Sequence, residues 1–291
     1  MELQMKCELC LFRCGVDRSR TTGRCGIDDR IYVAHFGLHT GEEPFLTGAH
    51  GSGTVFFAGC TLRCSFCQNY QISRWRINNR CIAPGTYDPS GLADIFFLLK
   101  EQGAANINLV SPTPYVHGII EAVKEAKSRG FDLPFVYNTH GYDTPETIEL
   151  LEGIIDIYLP DMKYGKDGIG EELSGAPNMY SLGKETLRSM YMQTGRLDID
   201  STGLARKGTA VRHLVLPGNI ENSLLVLDFL ETIDRRMHIS LMSQFHPCGD
   251  FNRMHPELNR TLRPDEYERV VHYAESLGFR NILTQELESH E

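Results

Sequence analysis

The stretch Cys60-Thr-Leu-Arg-Cys64-Ser-Phe-Cys67 is the most informative part of this 291-residue chain, because it places three thiols on one short segment. Iron–sulfur clusters are normally held by four cysteines. Three thiolates on one loop would therefore cap one face of a cubane cluster and leave one iron open to another ligand. Short cysteine spacings also bind zinc, so a zinc knuckle or a solvent-facing thiol cluster is the alternative interpretation.

The hydrophobic pattern around this motif predicts an α/β fold, because short β-branched runs alternate with helical segments from Gly53 onward. The predicted strands are residues 54–57, 107–110, 135–138, 154–159, 210–216 and 239–243. The predicted helices are residues 89–102, 116–128, 145–151, 184–193, 223–234 and 264–277. Six βα units are fewer than the eight of a closed barrel. We therefore expect an open, partial (β/α)6 barrel with its site at the carboxyl ends of the strands.

A second group of cysteines precedes the barrel: Cys7, Cys10, Cys14 and Cys25. So short a stretch buries little apolar surface, so a bound metal would supply its folding free energy. Four thiolates suit zinc, a rubredoxin-like iron or a second iron–sulfur cluster. The alternative is reduced free thiols, or a redox pair with Cys81 or Cys248, which otherwise read as small packed side chains.

These observations predict two parts of the chain. Residues 1–50 would form the four-cysteine metal-binding module and a linker, with a short strand at residues 31–33. Residues 51–291 would form the barrel. The border falls in a stretch rich in turn-forming glycine and proline.

The composition is that of a globular protein, with 41% hydrophobic and 23% charged residues. A net charge of −9 argues against a broad basic surface for nucleic acid or anionic membrane. No apolar run reaches the length of a membrane span, and the N-terminus lacks a signal-peptide core, so we expect a cytoplasmic protein. The cytosol keeps thiols reduced, and nine cysteines therefore indicate metal thiolates rather than disulfides.

The cysteine motif resembles that of the radical SAM superfamily, whose signature is CxxxCxxC after the first strand of a partial barrel. An aromatic residue often precedes the third cysteine, and Phe66 occupies that position. The similarity extends over nearly the whole chain and is greatest to the PflX-like branch, which is related to pyruvate formate-lyase activating enzyme. The stretches that carry it are Asn108-Leu-Val-Ser-Pro-Thr-Pro114, Asp161-Met-Lys-Tyr164, Val211-Arg-His-Leu-Val-Leu-Pro217 and Leu241-Met-Ser-Gln244.

The resemblance implies a [4Fe–4S] cluster on Cys60, Cys64 and Cys67. It further implies that S-adenosylmethionine chelates the open iron and is cleaved by one electron to a 5′-deoxyadenosyl radical. In such enzymes the cofactor does the chemistry, and the protein positions it and excludes water.

The same resemblance suggests contacts to S-adenosylmethionine. Activating enzymes carry Gly-Gly-Glu at the end of the second strand, where this chain has Ser-Pro-Thr-Pro. Ser111 and Thr113 are therefore candidate partners of the ammonium group, unless the prolines merely shape a turn. Asn138 matches a polar contact to the amino-acid portion. Lys163 matches the partner of the carboxylate, and a plain surface salt bridge is the alternative for it.

His213 and Gln244 are weaker candidates near the ends of the fifth and sixth barrel strands. Arg212 and His213 are neighbours on a strand, so one should face the barrel interior and the other the helices. The sequence leaves open which one does. A hydrogen-bonded structural histidine is the alternative for His213.

The resemblance implies an oxidoreductase-type enzyme that abstracts hydrogen from a protein or peptide, as glycyl-radical activases do. A low-potential electron donor such as flavodoxin or ferredoxin would reduce its cluster. The altered Gly-Gly-Glu position leaves a small-metabolite substrate open. A non-catalytic iron–sulfur or zinc protein, with a redox or scaffolding role, is the alternative from another class.

Overall fold

The computed structural model describes residues 6–76, 82–248 and 255–286, so Cys81 lies outside the described residues. The strands are β1 Ile31–His39, β2 Ser52–Phe57, β3 Gly85–Tyr87, β4 Ile107–Val110, β5 Phe135–Thr139, β6 Ile157–Pro160, β7 Asp198–Ile199, β8 Ala205–Leu214, β9 His238–Met242 and β10 Ile282–Thr284. The helices are α1 Pro44–Thr47, α2 Tyr70–Ser73, α3 Pro89–Glu101, α4 Val116–Ser128, α5 Pro145–Leu150, α6 Asp167–Ser174, α7 Met179–Thr194, α8 Ile220–Ile233 and α9 Pro264–Ser276. Two short 3-10 helices are Thr113–Tyr115 and Pro256–Leu258. No helix in this described part is long and apolar enough to cross a membrane.

The described strands form one mostly parallel sheet. Parallel pairing runs in the order β2-β4-β5-β6-β8-β9-β10. Beyond β2 the sheet continues with antiparallel β1 and then β3, so it does not close on itself in the described residues. The expected α/β fold, a partial (β/α)6 barrel preceded by a cysteine-rich segment, is confirmed, and β10 adds a further parallel edge strand.

The sequence-based expectation also lacks the short elements α1, α2, β3 and β7, and it differs most clearly from the structure at β1 and α6. Strand β1 is longer than residues 31–33 because its second half is paired with β2, for example Gly37 with Thr54. Helix α6 was not predicted, because Gly168 and Gly170 are poor helix formers. It forms because Gly170 packs closely: a Cβ there would lie 3.0 Å from the Met179 Cβ.

Local sequence signals set the starts of the helices on the barrel surface. The Asp88 carboxylate accepts the Gly91 N–H at 2.8 Å at the start of α3. The Thr144 hydroxyl accepts the Thr147 N–H at 3.3 Å at the start of α5. Each cap is followed by proline, which lacks an N–H that the first helical turn would leave unpaired.

The segment between β1 and β2 closes the amino-terminal end of the barrel. Phe45 and Leu46 of α1 pack on the inward side chains of the parallel strands, among them Val136 and Ile157. The Asn106 side chain donates to Leu46 O at 2.7 Å and fastens the segment. The division of the chain at residues 50 and 51 stays a prediction.

Residues 6–30 dock on the connection between β5 and α5. The Leu11 N–H donates to Tyr142 O at 3.0 Å, and the Thr144 N–H donates to Leu9 O at 3.3 Å. The rings of Phe12 and Tyr142 meet edge to face with centroids 4.9 Å apart. The cysteine-rich segment therefore lies at the carboxyl end of the barrel.

Candidate functional site

A cavity of about 450 Å³ opens where the parallel strands end. A parallel sheet gathers the carboxyl ends of its strands at one edge, so residues distant in sequence meet there. The lining of the cavity includes the cysteines after β2 and polar side chains from the other strand ends: Cys60, Cys64, Cys67, Ser111, Asn138, His140, Asp161, Lys163, Arg212 and Gln244.

The cysteine loop starts at Gly59 and is fastened to the end of α6. Gly59 has φ +79°, and a Cβ there would lie 2.6 Å from a buried isoleucine side chain, so only glycine fits. The Arg63 N–H donates to Ser174 O at 3.0 Å, and the Ser65 N–H donates to Leu173 O at 2.8 Å. Helix α6 therefore holds the second half of the loop.

The three thiols of this loop border the cavity, and Cys64 and Cys67 each have a hydroxyl partner. Ser174 Oγ donates to Cys64 Sγ at 2.9 Å, and Cys67 Sγ lies 3.4 Å from Ser73 Oγ. Burial raises the pKa of the Cys60 and Cys64 thiols, and a nearby lysine ammonium acts in the opposite direction. A positive ligand would convert these thiols to thiolates.

The donor set fits an iron–sulfur cluster. Cysteine thiolates are the usual ligands of iron–sulfur clusters, whereas structural zinc takes four protein ligands, one more than this loop provides. Three thiols on one loop beside one cavity therefore fit a cluster better than zinc.

A charged network lines the cavity at the ends of β6 and β8. Arg212 Nε donates to Asp161 Oδ1 at 2.8 Å, and Arg212 Nη2 donates to Asn138 Oδ1. Lys163 Nζ donates to Asp161 Oδ2 at 2.5 Å. Burial favours neutral Asp161, but Arg212 and then Lys163 outweigh it and hold the pKa of Asp161 at about 2. The Lys163 ammonium has further N–H donors available for a ligand.

Glu42 reaches the cavity from the segment that closes the barrel. Its carboxylate lies 3.9 Å from Arg212 Nη1 and 3.3 Å from His39 Nδ1. Burial raises the pKa of Glu42, and Arg212 partly offsets this. Sequence reasoning missed Glu42 because it precedes the barrel and belongs to no motif there.

Several predicted cofactor contacts line the cavity: Phe66, Ser111, Asn138, Lys163 and Gln244. Ser111 has φ +58°, and its N–H donates to Asn138 O at 3.0 Å. Left-handed backbone at a residue other than glycine is costly and clusters at functional sites. Their location agrees with the expectation, and their contact with a cofactor stays a prediction.

The structure corrects the candidate role of His213. Arg212 faces the cavity, and His213 lies on the opposite face of β8, where it is fully buried. His213 Nδ1–H donates to Met162 O at 2.6 Å, and Ser223 Oγ donates to Nε2 at 2.8 Å. Burial lowers the pKa of His213 to about 4. The ring is therefore a neutral structural group between the sheet and α8.

Thr113 and Cys248 also differ from expectation. Thr113 is fully buried behind the cavity, and the lining includes Ser111 instead. Cys248 was expected to be an isolated, packed side chain. It is half-buried, and its pKa is raised by burial and by Cys67, so it lies near the cysteine loop.

His140 was not singled out as a candidate from the sequence, although it lines the cavity and is 7% exposed. The Tyr142 N–H donates to His140 Nδ1 at 3.1 Å. Burial lowers the pKa of His140 and favours the neutral ring. Because Nδ1 accepts the Tyr142 N–H, the single ring proton lies on Nε2. Nε2–H then donates to Thr61 Oγ1 at 2.7 Å.

The N-terminal cysteines lie close to one another. A Cβ on Gly23 would lie 3.1 Å from Cys14 Sγ and 3.6 Å from Cys25 Sγ. Burial raises the pKa of Cys7 and Cys25, and that of Cys10 to about 12. In the described residues these thiols do not form a closed single-ion site, so a metal there stays a prediction.

An open α/β barrel with a three-thiol loop at its strand ends defines the class of iron–sulfur-dependent barrel enzymes. The family model described as the radical SAM superfamily matches residues 54–177, which include the loop. An uncharacterized protein of Methanocaldococcus jannaschii is 31% identical over 276 residues, covering 92% of this chain and 74% of that protein. This chain belongs to the radical SAM superfamily. Membership implies a [4Fe–4S] cluster and S-adenosylmethionine as cofactors and supports an enzyme of radical chemistry.

The chain also has weak similarity to solved structures. SuiB of Streptococcus suis bound to S-adenosylmethionine is 14% identical with a TM-score of 0.49, covering 78% of this chain and 48% of that one. A domain of pyruvate-formate lyase-activating enzyme from Bacteroides vulgatus is 13% identical with a TM-score of 0.45. The match covers 63% of this chain and 100% of that domain. These likenesses carry no information on substrate.

Proposed function

We propose that this enzyme abstracts hydrogen from a protein or peptide, in the manner of a glycyl-radical activase of the PflX-like branch. The observation that carries the proposal is the shared cavity, which brings the cysteine loop together with the Lys163, Asp161 and Arg212 network. Cys60, Cys64 and Cys67 would hold the cluster. Once reduced by its electron donor, the bound cluster would supply the single electron that splits S-adenosylmethionine into methionine and the 5′-deoxyadenosyl radical.

The polar residues of the cavity bind and orient the amino-acid end of S-adenosylmethionine. Lys163 pairs with the carboxylate through an N–H that Asp161 does not use. Asn138 accepts from Arg212 through its Oδ1, so its amide nitrogen is the group left to face the ligand. Ser111 supplies a hydroxyl at the position where activating enzymes have Gly-Gly-Glu.

The size of the cavity limits how a large substrate can enter. Pockets for small ligands are typically about 300–1,000 Å³. A cavity of about 450 Å³ is therefore filled largely by one cofactor. A protein substrate would present a single residue at the rim, where exposed, uncharged groups such as Gln68, Asn69 and Gln244 can pair with peptide backbone.

A small metabolite that meets the cofactor at the rim of the cavity is the second candidate, because residues 111–114 are Ser-Pro-Thr-Pro where activating enzymes have Gly-Gly-Glu. For either substrate we expect a flavodoxin- or ferredoxin-type donor and a cytoplasmic location. We further propose that Cys7, Cys10, Cys14 and Cys25 hold zinc, iron or a second cluster that stabilises the segment docked on the barrel.

The first experiment is anaerobic reconstitution with iron and sulfide, reduction, and measurement of 5′-deoxyadenosine from S-adenosylmethionine. Production of 5′-deoxyadenosine supports the radical reaction, and its absence from a fully loaded, reduced protein favours a non-catalytic role. Extract from cells grown in deuterated medium then separates the substrates. Deuterium transferred to 5′-deoxyadenosine from the dialysed macromolecular fraction supports a protein substrate, and transfer only from the diffusible fraction supports a metabolite.

A further inference from the structure

We infer that His140 is a positioning residue, which sets the orientation of Cys60 through a hydrogen bond to Thr61. The inference rests on the proposed function of the cysteine loop as the cluster site. His140 touches neither a thiol nor a charged group of the network through a hydrogen bond in the described residues. It acts on the loop through its neighbour.

The two halves of the cysteine loop are fastened differently. The second half is held by helix α6 through Arg63 and Ser65, and Ser174 holds the Cys64 thiol. In the first half, the side-chain contact is made by Thr61, which directly follows Cys60 and is 2% exposed. Its hydroxyl accepts the His140 Nε2–H at 2.7 Å. The Gly59 N–H also donates to Ile72 O at 2.9 Å, so loss of the His140–Thr61 bond would leave the loop attached and would change the orientation of Cys60.

His140 has one hydrogen-bond donor, Nε2–H, and its surroundings fix the direction in which this group donates. Nδ1 is used by the Tyr142 N–H, so the remaining proton of the neutral ring has one direction, toward Thr61. Thr113 Oγ1 is 3.5 Å from the same nitrogen, which is too long for a strong bond. His140 thus connects the end of β5 to the loop that follows β2, two strands separated in the sheet by β4.

The orientation of one ligand matters because the reaction depends on geometry. Misplacement of a reacting group by about 1 Å can cost about 100-fold in rate. Hydrogen bonds and solvent access around the ligands also tune the reduction potential of a cluster. His140→Phe or Thr61→Val should therefore lower the rate of S-adenosylmethionine cleavage by about 10- to 100-fold. Both should also shift the cluster's midpoint potential.

The test compares variants of the reconstituted holoenzyme. Thr61→Val removes the hydroxyl and Thr61→Ser keeps it, whereas His140→Phe removes the donor and His140→Gln retains an N–H near Nε2. We expect the Ser and Gln variants to recover most of the cleavage rate and the potential. The double variant Thr61→Val/His140→Phe should be no worse than either single variant, because both remove the same bond.

The matched control is Ser223→Ala, which removes another buried hydroxyl–imidazole bond, the one to His213 outside the cavity. It should lower the denaturation midpoint about as much as Thr61→Val does, and leave the potential and the cleavage rate unchanged. Iron content and EPR-monitored potential are measured for every variant.

Wild-type potential and wild-type cleavage in Thr61→Val would overturn the inference, as would an equal loss in Thr61→Ser. A wild-type protein that loads its cluster but makes no 5′-deoxyadenosine contradicts the proposed function alone. In that case the cluster midpoint potentials of Thr61→Val and Thr61→Ser still decide the role of His140. If His140→Phe does not fold, the Thr61 pair decides it as well.

Discussion

The two groups of cysteines solve the problem of placing thiols in opposite ways. The loop Cys60–Cys67 is short, starts at a residue that must be glycine, and is fastened to α6 and to the end of β5. The N-terminal segment spreads its thiols from Cys7 to Cys25 and is attached both to the β5–α5 connection and, through Arg24, to Gly175 O at 2.8 Å. The barrel therefore imposes the geometry of the first group. The thiols of the second group are far apart in sequence, so their geometry depends more on whatever they bind.

The two groups are nevertheless connected. Tyr142 packs in one apolar cluster with Leu62 and Cys64, and Phe12 of the N-terminal segment packs against that cluster. The β5–α5 connection thus carries His140 on its cavity side and the docking contacts of the N-terminal segment on the other. The comparison teaches that a cluster site on a scaffold and a metal-dependent segment can share one support and still respond differently to change.

The largest expected effect comes from exchanging one cysteine in each group for serine. Cys64→Ser should lose the barrel cluster, and 5′-deoxyadenosine formation should fall below detection, while any N-terminal metal is retained. Cys10→Ser should keep the barrel iron and the cleavage, and lose about 3 kcal/mol or more of stability, because loss of a metal is among the most destabilising changes. Metal analysis and denaturation check both. Equal loss of cleavage in the two variants would erase the distinction.

Thiol labelling of the metal-free protein tests the N-terminal group more finely. Cys14 is exposed and should react first. Burial raises the pKa of Cys10 to about 12, so little thiolate forms near neutral pH. Its alkylation should be about 1,000-fold slower than that of an ordinary exposed thiol at pH 8. As long as the pH stays below that pKa, each increase of one pH unit should raise the alkylation rate of Cys10 about tenfold, because the thiolate fraction rises by the same factor.

Mass-spectrometric mapping of the alkylated peptides measures these rates. Metal-loaded protein is the control, and there all N-terminal cysteines should be protected. Labelling of Cys10 as fast as Cys14 would mean that the segment is not closed around its thiols without metal.

Lys163→Met should weaken S-adenosylmethionine binding by about 10- to 100-fold. The reason is that a hydrogen bond to a charged group contributes about 1.5–3 kcal/mol and each 1.4 kcal/mol is about tenfold. Lys166→Met is the matched control, because Lys166 pairs with Glu221 on the exposed surface at 2.7 Å. Calorimetric titration of the reconstituted protein measures both affinities. Equal affinities would remove Lys163 from the site.

The smallest expected effect concerns the outer edge of the N-terminal segment. Arg13 makes a double hydrogen bond to Glu146 at 2.8 Å, but both side chains are largely exposed. Arg13→Met should therefore lower the free energy of unfolding by only about 0.2–1 kcal/mol. Glu146→Gln should do the same in chemical denaturation. A loss above about 3 kcal/mol would show that this ion pair, rather than the backbone hydrogen bonds of Leu9 and Leu11, attaches the segment.

The sequence by itself determined the parts that depend on local pattern and on residue chemistry. The alternation of strands and helices predicted the partial barrel. Strands that are buried on both faces have apolar sequences, and helices that are buried on one face have amphipathic sequences. The spacing of Cys60, Cys64 and Cys67 predicted the cysteine site. The ends of the strands predicted where Ser111, Asn138, Lys163 and Gln244 would gather.

Only the tertiary structure decided what depends on register and on contacts between distant segments. Strand parity alone could not tell that Arg212 faces the cavity and His213 faces α8, since the register comes from pairing with neighbouring strands. Glu42 reaches the cavity because the segment before β2 folds into the barrel end. His140 gains its role only when Thr61 is brought against it from a strand that is not its neighbour. Each of these features depends on contacts between residues that are distant in sequence, and a local sequence pattern does not predict such contacts.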